Sequence, residues 1–202
     1  MSKNVEHATH RALIDCGVEL AKEFGMYSFT VEQLLTRSGI AKGSLYHHFE
    51  DFNDLVECVQ VRIFTGYVEL DILAIQQALD AATDRDKLVN LISLITRTAL
   101  QPQRSIIRIQ RARIISATQG RERFAARIGH EQKLLNDQMT RVITFGQERG
   151  WVKPDLDAQA LALFVQGYAF GLILNDVAEE RVNPEELVAV IDSVVANLLI
   201  GS

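Results

Sequence analysis

The chain has 202 residues, 48% of them hydrophobic and 23% charged, and a formal net charge of −5. That mixture excludes a disordered chain, allows one or two domains with cores of their own, and lacks the excess of positive charge that marks many nucleic-acid binders. With only 3 Pro and long periodic stretches, the class reads as all-α. The stripe Leu13, Cys16, Gly17, Leu20, Ala21 and Phe24 predicts a first helix over 4–24, ended at Gly25. Thr30 is an N-cap signal for a second, short helix, with Gln33 three residues on completing a capping box. Its apolar face is Val31, Leu34 and Leu35, and Ser38-Gly39 breaks it. Gly39 can take the positive φ that a sharp inter-helix turn needs.

A third helix is predicted over 41–49. Ala41, Leu45 and Phe49 share one face at i, i+4 and i+8. The remaining faces carry Lys42, Gly43, Ser44, Tyr46, His47 and His48. One side is built for a core, and the rest offers donors, acceptors and aromatic edges. Those types suit a DNA groove. Lys42 can reach a phosphate or a guanine edge, and Gly43 carries no side chain to hold the helix off the backbone wall. Ser44, Tyr46 and Thr30 can bond phosphate oxygens, and His47 can meet backbone or base. The same pattern also fits a plain helical hairpin with a polar outer face. The long helix before it supplies the third element that a helix-turn-helix core requires.

Phe24-Gly25, then Phe29-Thr30-Val31, then the run from Ser38 to Phe49 resemble the DNA-binding domain of the TetR family of bacterial transcriptional regulators. The specific resemblance covers about the first quarter of the chain and is strongest from Gly43 to Phe49. It implies an N-terminal three-helix helix-turn-helix domain at 1–50 and a C-terminal helical effector-binding and dimerisation domain at 51–202. It implies a homodimeric repressor released from operator DNA by a small-molecule effector, with Thr30, Lys42, Gly43, Ser44, Tyr46, His47 and His48 on or near the DNA. One departure stands out. Family members carry a phosphate-holding lysine just after the Phe, and here Phe52 takes about that place within Glu50-Asp51-Phe52-Asn53-Asp54. Weaker, less salt-steep DNA binding is therefore expected. Residues 1–50 hold five Lys/Arg against six Asp/Glu, so any basic face must come from placement.

Further helices are predicted over 51–82 (bending or breaking once), 84–100, 102–118, 122–149, 157–179 and 184–200. The last two are apolar on all sides and exceed what one subunit can bury. A C2 four-helix interface is expected from Leu163, Gly167, Phe170, Gly171, Leu174, Ile191, Val194, Val195 and Leu198, and two copies would read half-sites roughly 34 Å apart on an inverted repeat. In the helix from 102, Arg104, Arg108 and Arg111 cluster as a solvated face, while Arg113 falls among isoleucines and needs a partner. Arg113 with Phe64, Tyr67, Met139, Phe164, Gln166 and Tyr168 is the candidate effector lining, suited to a mainly apolar molecule with one acidic or carbonyl group.

No phosphate loop, nucleophile elbow or metal-ligand set is present in the sequence, so no enzyme, cofactor or metal is expected. The start MSKNVEHATH lacks an apolar signal core, and the apolar run over 158–174 is short for a bilayer and broken by Gln159 and Gln166. The expectation is a cytoplasmic protein with no membrane partner and with Cys16 and Cys58 reduced. The rival reading is a helical protein–protein interaction module without DNA binding.

Overall fold

The structure, a computed structural model, describes residues 3–26 and 28–199, and among them every regular element is a helix. The elements are α1 (Lys3–Phe24), α2 (Val31–Ser38), α3 (Lys42–His48), α4 (Phe52–Ala81), α5 (Arg85–Ala99), α6 (Pro102–Ala117), α7 (Glu122–Glu148), α8 (Ala158–Gly171), α9 (Ile173–Asp176) and α10 (Pro184–Val194), closed by a π-helical turn, Val195–Leu199. Caps set several boundaries. Asp51, Asp84 and Asp157 each accept a backbone N–H from the first turn of the following helix, and Pro102 and Pro184 sit where a helix needs no donor.

Helices α1 to α3 and the start of α4 share one core: Leu13, Leu20, Phe29, Leu34, Leu45, Phe49, Leu55 and Val59. Full burial of each such side chain is worth roughly 1.5–3 kcal/mol. α1 crosses α4 closely at Gly17, where a Cβ would lie 2.5 Å from Val59 Cγ2. Phe52 packs edge-on against Phe29, 5.6 Å between ring centroids, so it anchors α4 to this core.

α4 then leaves that core without interruption. Of the bend or break expected within 51–82, no break occurs. The buried face changes because the partner changes: Leu55 and Val59 meet α1, whereas Phe64 and Val68 enter a cluster with Ile114, Phe124, Ile128 and Leu135 of α6 and α7. α4 is thus shared between the N-terminal core and the body of the molecule. A further cluster joins Ala82, Leu88, Val152, Leu161, Ile191 and Val195.

The helix expected over 157–179 is shorter than that. It ends at Gly171, and Leu172 drops into a cluster with Leu100 and Val188 before α9 resumes for one turn. By length and composition Ala158–Asp176 is apolar enough to cross a membrane, but Leu161, Ala162 and Leu172 are buried within the protein itself.

The expected dimer face divides in two. Ile191 and Val195 are buried in this chain's own core, because α10 and the turn that follows it direct them toward α5 and α8, so they are not available to an interface. Val194 is half-buried, and the Leu198 side chain lies outside the described residues. Leu163, Gly167, Phe170 and Leu174 face outward and are joined by Val177; Gly171 is half-buried beside them.

Candidate nucleic-acid interface

Thr30 closes the capping box that opens α2. Its Oγ1 accepts from Gln33 N at 3.3 Å, and its own N donates to Gln33 Oε1 at 2.8 Å. α2 ends where Gly39 adopts φ 65°, its N–H bonded to Leu35 O at 3.0 Å. Ser38 Oγ accepts from Ile40 N, which holds the turn. α3 follows after two residues. Leu45 and Phe49 point into the core, which fixes the rotation of α3 about its axis. That rotation leaves Lys42, Gly43, Tyr46 and His47 exposed and Ser44 and His48 half-buried. No atom lies within 4 Å of the place a Gly43 Cβ would occupy, so the backbone there is open to an approaching surface.

His48 leans toward α1. Its ring meets His10 edge-on at 6.1 Å, and His10 stacks on Phe49 at 4.7 Å. His47 stands 5.3 Å from His48 on the outer side. Of the seven residues singled out for DNA, Thr30 also caps a helix and His48 also packs against α1; the other five lie on the outer face of α3.

The acidic segment after α3 has a local reason. Asp51 Oδ1 accepts from Asp54 N at 2.8 Å, and Asp54 Oδ2 accepts from Glu50 N at 3.3 Å, which caps α4. Arginines of α7 lie against the same segment: Arg123 Nη1 is 3.0 Å from Glu50 Oε2 and Arg127 Nη1 is 3.4 Å from Asp54 Oδ1. Arg127 also donates to Cys58 Sγ at 3.1 Å. Burial pushes the Cys58 thiol up from its ordinary value, and Arg127 offsets part of that rise.

The proposed effector lining is not brought together. Phe64, Tyr67 and Met139 lie where α4, α6 and α7 meet, whereas Tyr168 joins the α5–α10 cluster and bonds Thr96 Oγ1 at 3.2 Å. Phe164 is exposed, and Gln166 is engaged with Asn136 Oδ1 at 2.7 Å and Gln132 Nε2 at 2.5 Å. Arg113 is exposed, not set among isoleucines, and is withdrawn. The inner side of α6 is the opposite of the expected one. Ile106 and Ile115 face out, while Arg108 and Arg111 turn inward to Asp176 and Asp71. Arg111 also lies over the Phe64 ring at 5.6 Å, and the Tyr67 hydroxyl donates to Gln110 Oε1. Gln60 was missed: it is fully buried and neither amide atom meets a partner among the described residues. Its sequence signal was a lone amide within Val59, Val61, Ile63 and Phe64.

The family model for bacterial regulatory proteins of the tetR family matches residues 13–59. The regulator BetI of Escherichia coli O139:H28 is 40% identical over 47 residues, 23% of this chain and 24% of that protein. The chain thus aligns with about a quarter of the length of the curated relatives it matches. Among solved structures, a TetR-family regulator from Pectobacterium atrosepticum superposes with a TM-score of 0.66 at 22% identity, over 98% of each chain. A TetR-family regulator from Cytophaga hutchinsonii gives 0.67 at 13% identity over 100% of this chain and 99% of that one. A regulator from Saccharomonospora viridis, solved with choline, gives 0.67 at 12% identity over 97% and 100%. Identities this low speak for the fold alone, and the sequence match at 13–59 speaks for the N-terminal domain. Residues 13–59 therefore carry the sequence of a tetR-family helix-turn-helix, and the chain shares the helical fold of TetR-family structures along nearly its whole length.

Proposed function

We propose that the protein is a homodimeric DNA-binding transcriptional regulator that represses from an inverted-repeat operator and leaves it when a small effector binds. The observation that carries this reading is the rotation of α3. Leu45 and Phe49 are buried, so Lys42, Gly43, Tyr46 and His47 must face away from the core. A helix of seven residues fixed in this way presents groove-sized, hydrogen-bonding side chains on a rigid base. Thr30 and Ser44 stand at the edges, where phosphates would pass. Residues 1–50 serve as the reading head and 51–202 as the effector and dimer body, with α4 continuous between them.

The dimer part rests on an outward stripe. Leu163, Gly167, Phe170, Leu174 and Val177 recur at spacings of four and three, and Leu163 and Leu174 are 66% and 74% exposed. Exposed apolar side chains in a row mark an association surface, and a second copy covers them with the same stripe. Beside it runs an open groove of about 450 Å³ lined by Tyr168, Gly171, Leu174, Asn175, Glu180 and Leu187, within the size range of small-ligand sites. The test is selection of bound duplexes from a random pool, followed by titration with salt. An inverted repeat bound with a steep salt dependence supports the reading. No enrichment, or binding indifferent to salt, would favour a protein-interaction module.

A further inference from the structure

We infer that α7 sets DNA affinity by screening the acidic edge that follows the recognition helix; the inference rests on the DNA-binding reading above. A short recognition helix that enters a groove by its first residues leaves it at the sugar-phosphate wall. The residues that follow α3 are acidic. Glu50, Asp51, Asp54 and Glu57 succeed one another, and no Lys or Arg occurs between His48 and Arg62. Bare carboxylates there oppose every phosphate within a Debye length, about 10 Å at 0.1 M salt.

Three arginines, Arg121 at the N-cap of α7 and Arg123 and Arg127 in its first turns, lie on that run. Arg121 Nη1 is 3.3 Å from Glu57 Oε1, Arg123 Nη1 is 3.0 Å from Glu50 Oε2, and Arg127 Nη1 is 3.4 Å from Asp54 Oδ1. Asp51 and Asp54 have work as backbone caps. Glu50 caps nothing, and its carboxylate lies against Arg123. Both side chains of that pair are mostly exposed, 69% for Arg123 and 76% for Glu50. An ion pair so exposed adds little to folding. Its consequence is the field that an approaching polyanion meets.

The pair also crosses the molecule's functional divide. The guanidinium belongs to a helix of the body, and the carboxylate to the loop that leaves the reading head.

The experiment measures affinity for a duplex enriched by the unaltered full-length chain, across roughly 0.05–0.5 M salt. The variants are Arg123→Ala, Glu50→Gln and the two combined; both positions are on the surface, and thermal melts check that each variant folds. Arg123→Ala is expected to weaken binding about three- to tenfold at 0.1 M salt or below, with the loss fading at about 0.5 M. Glu50→Gln binds at least as tightly as the unaltered chain. The double variant matches Glu50→Gln, because Arg123 then has nothing left to screen. Arg123→Ala without effect at low salt overturns the inference. So does a loss that persists in the Glu50→Gln background, since Arg123 would then hold a phosphate itself. Either pattern leaves the DNA-binding reading intact. An unaltered chain with no salt-dependent binding overturns that reading first, and the inference with it.

Discussion

Arg108 and Asp176 meet through two parallel hydrogen bonds, Nε to Oδ2 and Nη2 to Oδ1, both 2.6 Å, with side chains only 11% and 10% exposed. Arg108 Nη1 also donates to Ala99 O, so one guanidinium ties α6 to α9 and to the end of α5. Arg108→Ala leaves a buried carboxylate without its counter-charge and is expected to cost about 3–5 kcal/mol. The double variant Arg108→Met with Asp176→Leu is expected to recover most of that loss, because no charge is then stranded. Urea unfolding of the three variants checks it; a single-variant cost under about 1 kcal/mol would show that the pair is open to water.

Thr30 and Lys42 separate stability from DNA contact. Thr30→Ala removes the hydroxyl that holds Gln33 N and is expected to cost about 1 kcal/mol of stability as well as DNA affinity. Lys42→Ala touches nothing in the core. It is expected to leave the melting temperature unchanged and to lower the slope of log affinity against log salt by about 0.9. Equal effects of both variants on unfolding and on the slope would contradict this division.

Leu163→Glu combined with Leu174→Glu is expected to give a folded monomer in sedimentation at micromolar concentration, since both residues face out. Val195→Ala, at 2% exposure, is expected instead to destabilise each subunit by about 1–3 kcal/mol through the lost packing. A dimer that survives both glutamates would place the association surface elsewhere.

Gln60→Leu is expected to hold or raise stability, by about 1–2 kcal/mol at most, because the buried amide meets no partner among the described residues. The measurement is denaturant midpoint at constant slope. A fall of more than about 1 kcal/mol would mean that the amide is satisfied in solution.

Alkaline pH should loosen the fold. Burial raises the Cys58 thiol above its ordinary 9.0 and the Tyr168 phenol above its ordinary 10.0. The folded chain therefore keeps protons that the unfolded chain gives up. The stability linked to them is complete below about pH 9 and is lost as pH rises through the raised values. Melting temperatures taken from neutral pH to about pH 10.5 are expected to fall at the upper end, and less steeply for Cys58→Ala. A variant with the same alkaline slope would remove Cys58 from the account.

The local elements were legible because their causes are local. Thr30 with Gln33, Gly39, Asp84, Pro102 and Asp157 act on the backbone within one turn, and a cap or a positive φ is encoded by one or two residues. The face of α3 was equally plain, since Leu45 and Phe49 leave one way to turn a seven-residue helix. The inner face of α6 was not legible because its stripe mixes arginine with isoleucine, and helical periodicity gives two opposite faces without saying which one meets a neighbour. Asp71 and Asp176, distant in sequence, decided it in favour of Arg108 and Arg111. The exposure of Arg113 was hidden for the same reason.

Sequence alone determined the order of helices, the outward chemistry of Lys42, Tyr46 and His47, and the tetR-like character of residues 13–59. Each depends on periodicity or on a short motif. Tertiary structure decided what lies across from what: which arginines find carboxylates, that Ile191 and Val195 belong to one subunit while Leu163 and Leu174 face out, and that α7 rests on the acids after α3. Pairing across scores of residues depends on how rigid helices dock, and hydrophobic period carries no record of the partner.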